Sequence, residues 1–262
     1  MQVCIVGISP KEPAVVPAPG RGYSPGMKPD GARDRAIEAF RILSPLWPDA
    51  KPLLEYRNPF ELLCAVVLSA QCTDNQVNRA TPGLFARWPD PEGMSRAEIG
   101  DVEAAVHSLG FFRGKARHLI DSARIISERF AGRVPGTMDE LLELPGVGRK
   151  TANLVLSACF GKPGIIVDTH VLRVCLRLGL GEKADATYME KRIAGLIPQE
   201  SWTSFSHAVN RHGKFVCAAR SPACAPGSVL PPCPLIGICP RRGLAPGRSR
   251  GRESAPKKAG KH

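Results

Sequence analysis

The sequence lacks any apolar run of about 18 residues, the length a single membrane-spanning helix needs. Its start, MQVCIVGISPKEP, lacks the basic segment and long apolar stretch of a secretory signal, so none is expected. No run alternates apolar and polar residues for long enough to argue a sheet. Nine cysteines in 262 residues are too sparse for a small disulfide scaffold. Acid is scarce as well: 24 Asp and Glu face 36 Lys and Arg, for a net charge of +12. What remains is a basic chain with 43% hydrophobic residues, enough to build a core and to exclude wholesale disorder.

The charge is unevenly placed. Residues 240–262 carry eight bases (Arg241, Arg242, Arg248, Arg250, Arg252, Lys257, Lys258, Lys261) and the single acid Glu253, a net +7. They hold almost no large apolar residue and read as a disordered basic tail. Residues 1–30 contain six Pro and four Gly without periodicity and read as a flexible leader at +1. Met27 is an alternative start, because patterned sequence begins just after it. The body between them is left with +4. The cysteines are uneven too. Cys4, Cys64, Cys72, Cys159 and Cys175 are scattered, while Cys217, Cys224, Cys233 and Cys239 crowd together. Scattered thiols beside a cluster read as a reducing compartment with a metal site.

The patterned region is helical throughout, and the expected class is all-α. Ala36, Ile37, Phe40 and Leu43 recur at helical spacing, as do Ala116, Leu119, Ile120, Ala123 and Ile126. FELLCAVVLSA (60–70) is apolar nearly all round and predicts a buried helix, followed after a polar break by a second over 74–87. Ser95–Glu98, Thr137–Glu140 and Thr187–Glu190 each show the capping-box pattern of a helix start. Gly110 is the expected left-handed end of the helix before 116–126. Ile165, Ile166 and Val167 are β-branched but too short for a strand and read as a connector.

LLELPGVGRKTANLVL (141–156) places Gly146 and Gly148 between two helical stretches. Two glycines two apart permit a tight turn and leave backbone N–H groups bare. Those groups point from a helix start, where the macrodipole favours an anion such as phosphate. Arg149 adds positive charge. A helix–turn–helix corner that only packs is the plain alternative on the glycines alone.

LPGVGRKTAN followed by VDTHVLRV resembles the endonuclease III branch of the helix–hairpin–helix DNA glycosylases. LSAQCTDNQVNRAT (68–81) is similar to that family's first DNA-facing segment, and HGKFVCAARSPAC (212–224) to the start of its iron–sulfur loop. These four blocks stand in the family's order, and the likeness runs from about residue 36 to 239. The resemblance implies that Lys150 is the nucleophile and Asp168 the catalytic carboxylate. An amine attacking C1′ expels the base and leaves a Schiff base on the opened sugar, and β-elimination then cuts the strand. A lysine does this only as the neutral amine, which hairpin dipoles, Arg149 and partial desolvation would favour. Asp168 either accepts the lysine proton or stabilises charge developing on the sugar; read alone, it is a plain helix N-cap.

The resemblance also implies DNA contacts. Gln71, at the end of the buried helix, and Phe111, in the GFFRG loop, would fill the gap left by a flipped base. The family often has Leu where this chain has Phe111, and Phe112 is the alternative buried member of the pair. Thr169 and His170 would touch phosphate, with a structural histidine as the rival for His170. Arg220 would touch DNA backbone. The cysteines run C-x6-C-x8-C-x5-C, against a family pattern of C-x6-C-x2-C-x5-C. The resemblance implies a [4Fe–4S] cluster on Cys217, Cys224, Cys233 and Cys239, with four-cysteine zinc as the alternative. The longer middle loop is tolerable because closure entropy grows slowly with length.

The implied architecture is a six-helix barrel over 52–162 ending in the hairpin (about 139–156), and a cluster-bearing helical domain made of 31–51 and 163–240, with DNA between them. The implied activity is excision of oxidised pyrimidines from duplex DNA with strand cleavage at the resulting abasic site, by a monomer in a bacterial-type cytoplasm, associated with the nucleoid. Two alternatives differ in class. Adenine-mismatch glycosylases generally lack the hairpin lysine and carry a long extra C-terminal domain. A non-catalytic hairpin module would have no use for both Lys150 and Asp168.

Overall fold

The computed structural model describes residues 31–48, 51–225, 228 and 232–240. The leader (1–30) and the basic tail (241–262) lie outside the described residues, as does part of the loop between Cys224 and Cys233. The described elements are all helices: α1 (Ala32–Leu43), α2 (Pro59–Leu68), α3 (Asp74–Arg87), α4 (Pro91–Ser95), α5 (Ile99–Val106), α6 (Phe112–Arg129), α7 (Met138–Leu142), α8 (Arg149–Phe160), α9 (Thr169–Arg177), α10 (Ala186–Leu196) and α11 (Trp202–Phe215), with two short 3₁₀ turns. The all-α expectation holds.

Helix α2 forms because Asn58 caps Glu61 N–H at 2.9 Å, Pro59 sits where a helix tolerates it, and every residue from Phe60 to Leu68 is buried. One of those buried residues is charged. Glu61 is matched by Arg57 at 2.6 Å. Helices α3, α6 and α8 pack around α2, α4 and α5 pack on α6, and α7 pairs with α8. Helix α11 packs on α9 and α1, and α10 on α9 and α1.

The buried apolar side chains fall into two clusters. One runs from Leu54 to Ile166. The other joins Ala36, Ala39 and Leu43 of α1 to Ile165 and later residues. The connector over 165–167 serves both. Ile166 enters the first cluster, and Ile165 and Val167 enter the second, as alternation along extended backbone requires.

Thr137 does cap α7. Ser95 instead ends α4, and Glu98 precedes α5 without a side-chain cap bond. Thr187 lies inside α10, whose cap is Asp185, bonding Tyr188 N–H at 2.6 Å. An aspartate two positions earlier supplies the same acceptor and moves the start. A full capping box occurs where none was expected, between Thr73 and Gln76 at the head of α3. Gly110 is not left-handed either. α5 ends at Val106, and Phe111, with φ of 57°, makes the turn into α6.

Candidate active site

The hairpin is built by α7, the turn 143–148 and α8. Val147 N–H closes on Leu144 O at 3.1 Å, and Ser122 of α6 donates to Pro145 O at 3.0 Å. Gly146 has φ of 78°, and a Cβ there would stand 2.7 Å from Nδ1 of His118. Glycine is therefore required by the protein itself. Gly148 differs. Its φ is −102°, and a Cβ would meet nothing within 4 Å. It caps α8, whose first N–H groups receive no side-chain cap.

Arg149 and Lys150 open α8, and both are exposed. They are treated differently. Arg149 donates to Glu190 of α10 at 2.6 Å, and the bond and charge of Glu190 raise its already high pKa. Asn153, one turn on, is buried and donates to Ile165 O at 2.9 Å and to Glu190 at 3.3 Å. Lys150 has no ion pair or hydrogen bond among the described residues.

Asp168 caps α9 and is half-buried. Val171 N–H donates to its Oδ1 at 2.8 Å, and Asn210 Nδ2 donates to its Oδ2 at 2.7 Å. Each oxygen thus holds one fixed bond, which orients the carboxylate. The plain N-cap reading of Asp168 is structurally present, and Asn210 adds a second constraint from 42 residues away. Asn210 carried no motif in the sequence. The available signal was the polar stripe His207, Asn210, Arg211 and Lys214 along α11. On that stripe, Arg211 donates to Lys51 O at 2.8 Å, and Lys214 pairs with Asp74 at the head of α3 at 2.6 Å. Burial, reinforced by Arg211, pushes His207 down to about 4 despite Asp168 nearby.

Thr169 is exposed, and His170 is half-buried beside Arg173, 3.2 Å from Nδ1. A Cβ on Gly213 would stand 3.0 Å from His170 Cβ, so α9 and α11 touch at this histidine. Gln71 and Phe111 are both exposed, Phe111 at 71%. Both have φ of 57°, among only three non-glycine residues so described. A left-handed conformation costs a non-glycine residue roughly 1–2 kcal/mol, so surrounding contacts must hold it. Phe112 is half-buried and packs on the first core cluster.

Cys217, Cys224, Cys233 and Cys239 line one cavity with Arg177 and His212. All four are free of disulfides. Burial pushes the Cys233 thiol up to about 12. No set of three or more ligands at metal-binding spacing occurs among the described residues. The thiols take protein partners instead: Arg177 donates to Cys217 Sγ at 3.1 Å, and Cys239 Sγ donates to Arg177 O at 3.3 Å. Arg177 also donates to Ala218 O and Ala219 O at 2.9 and 3.0 Å, which folds the loop bearing exposed Arg220 around one buried guanidinium. No spacing in the sequence pointed to Arg177.

Residues 64–199 match the HhH-GPD superfamily of base excision DNA repair proteins. This chain belongs to that superfamily. Within the HhH-GPD proteins it is 46% identical to endonuclease III of Synechocystis sp. over 79% of its own length and 93% of the relative's. Its fold is similar to that of a non-covalent endonuclease III–DNA complex, with a TM-score of 0.74, 40% identity, and coverage of 79% of this chain and 94% of that one. A trapped covalent endonuclease III–DNA intermediate is similar at a TM-score of 0.71 and 40% identity, over 76% of this chain and 93% of that one. The HhH-GPD match ends before the cysteine cluster, whereas the likeness to the endonuclease III structures extends over most of the chain.

Proposed function

We propose that this chain removes oxidised pyrimidines from duplex DNA and cuts the strand through a Schiff base on Lys150. Its family makes it a base excision repair glycosylase with abasic-site lyase activity. The proposal concerns which residues act and on what. The observation that carries it is an exposed lysine, without a partner among the described residues, on the first turn of a helix whose start is bare of side-chain caps.

In this reading the duplex backbone lies against Gly146, Gly148 and the first N–H groups of α8. A phosphate there completes donors that the protein leaves open. Gly148 needs no glycine for internal reasons, so its missing Cβ is room for close backbone approach by DNA. Gln71 and Phe111 enter the stack and hold the target nucleotide out of it. The Lys150 amine attacks C1′, the glycosidic bond breaks, and the base leaves with the bonding electrons. The resulting imine acidifies the 2′ proton. Its loss drives elimination of the 3′ phosphate. Lys150 is exposed, so bound DNA would be what excludes water from it. Asp168, fixed by Val171 and Asn210, faces this chemistry as proton acceptor or as a counter-charge to the sugar. Thr169, His170 and Arg220 flank the backbone, while Arg149 reaches DNA only by sharing or leaving Glu190.

Cys217, Cys224, Cys233 and Cys239 fit a [4Fe–4S] cluster. They are four unbridged cysteines around one cavity, and a guanidinium already donates to one sulfur. The group would supply a rigid anchor for the Arg220 loop rather than a step in the chemistry. A brown protein with iron and sulfide in equal amounts is the expected assay result. A colourless protein containing zinc would replace the cluster with a four-cysteine zinc site.

Borohydride trapping on a duplex with an abasic site tests the nucleophile. Wild type is expected to form a covalent adduct, and Lys150→Gln to form none. Equal trapping by that variant would remove Lys150 from the mechanism. An excision panel over thymine glycol, dihydrouracil and mismatched uracil, with strand cleavage scored separately, tests the substrate class. Excision confined to mismatched uracil would overturn it.

A further inference from the structure

Lys115 is buried at 5% exposure on the first turn of α6, inside neither core cluster. Among the described residues its ammonium has one hydrogen-bond partner, Cys72 Sγ at 3.1 Å. A thiol is a weak acceptor, and an ammonium has three donors. Burying a charge for one such bond is unfavourable. The contact therefore does not read as a device for general stability.

Its location supplies another reading. Cys72 follows Gln71, and Lys115 N–H closes on Phe111 O at 3.2 Å. The backbone bond is the opening hydrogen bond of α6, so Lys115 stands one turn after Phe111, and its side chain alone reaches across to the Gln71 turn at Cys72. A Cβ added at Gly110 would lie 4.0 Å from Cys72 Sγ, so the chain just before Phe111 passes near that thiol. Both turns hold a left-handed non-glycine residue, a conformation that relaxes when its surroundings loosen.

We propose that Lys115 is a positioning residue that locks the Gln71 and Phe111 turns into one rigid gap-filling unit, with Cys72 as its acceptor. The inference rests on the roles given above to Gln71 and Phe111. It deepens them by naming what makes the two turns act together. A base must be flipped before excision, whereas an abasic site has no base to extrude. Loss of the lock therefore slows the glycosylase step more than the lyase step.

The test compares single-turnover excision of thymine glycol with cleavage of a preformed abasic site, both in duplex DNA. Lys115→Met keeps the apolar stem and removes the ammonium. It is expected to lower the ratio of excision to cleavage by about tenfold, within the roughly 10²-fold that displacing a positioning group can cost. Cys72→Val, which removes the acceptor, is expected to do the same, and Cys72→Ser, which keeps one, to restore the ratio. Should Lys115→Met fail to fold, the two Cys72 variants carry the comparison. A second readout uses 2-aminopurine beside the lesion in a Lys150→Gln background, where flipping is seen without chemistry. Lower fluorescence on adding Lys115→Met or Cys72→Val supports the lock whatever the nucleophile proves to be. An unchanged ratio and unchanged fluorescence in both variants would overturn it.

Discussion

Gly146 and Gly148 sit two positions apart and are glycine for different reasons. At Gly146 the backbone is left-handed and the His118 ring occupies the place of a Cβ. At Gly148 the backbone is extended and the space is open. Gly146→Ala is expected to lower thermal stability by about 2 kcal/mol or more, measured by denaturant or thermal unfolding. Gly148→Ala is expected to cost at most about 1 kcal/mol, the usual penalty of alanine at a helix N-cap, and to weaken duplex binding about tenfold. Equal losses of stability in the two variants would contradict the assignment. The Gly-x-Gly turn and Lys150 after it were legible in the sequence because both are local. The division of labour between the glycines was not, since His118 arrives from α6.

Helix α11 shows what a single element adds. Its apolar face packs Phe205, Ala208 and Val209 into the second core cluster. Its polar stripe reaches Asp168, residue 51 and Asp74. Two of its histidines, His207 and His212, are pushed down to about 4, chiefly by burial. A histidine with a lowered folded pKa is neutral in the native chain but charged in the unfolded chain below its ordinary value near 6.5. Stability is therefore complete above about pH 6.5 and falls as pH drops toward 4. For His207 the loss across that window is on the order of 1–3 kcal/mol. Unfolding temperatures taken from pH 7.5 to 5 are expected to fall more steeply in wild type than in His207→Gln. Parallel curves would show that His207 is not the group being titrated. Cap patterns at this scale were only partly readable. Thr137 capped its helix, Thr187 lost its place to Asp185 two positions earlier, and Ser95 ended α4 while α5 began at Glu98 without a side-chain cap.

For the whole molecule, the charge of +12 divides into a mildly basic body and a strongly basic terminal segment. Of the predicted interface residues, Lys150 is exposed and unpaired among the described residues, whereas Arg149 is held by Glu190. On this charge distribution, residues 241–262 are expected to supply longer-range attraction to phosphate. Deleting them is expected to weaken duplex binding at moderate salt and to flatten its salt dependence, with single-turnover excision nearly unchanged. A large loss of chemistry on deletion would place part of the active site in that segment. Among the described residues no helix is long and apolar enough to cross a membrane.

The sequence by itself determined the helical class, the hairpin turn, the lysine behind it, the aspartate at the next helix start and the grouping of four cysteines. Each of these is a short-range property: a period of apolar residues, a turn that needs glycine, a side chain at a helix terminus. Tertiary structure alone decided which side chains meet around them. Asn210 meets Asp168, Lys115 joins the Gln71 and Phe111 turns, Arg177 gathers the cysteine loop, and Glu190 takes Arg149. Those pairings depend on how two core clusters pack around a three-residue connector, and spacing along the chain carries no record of that packing.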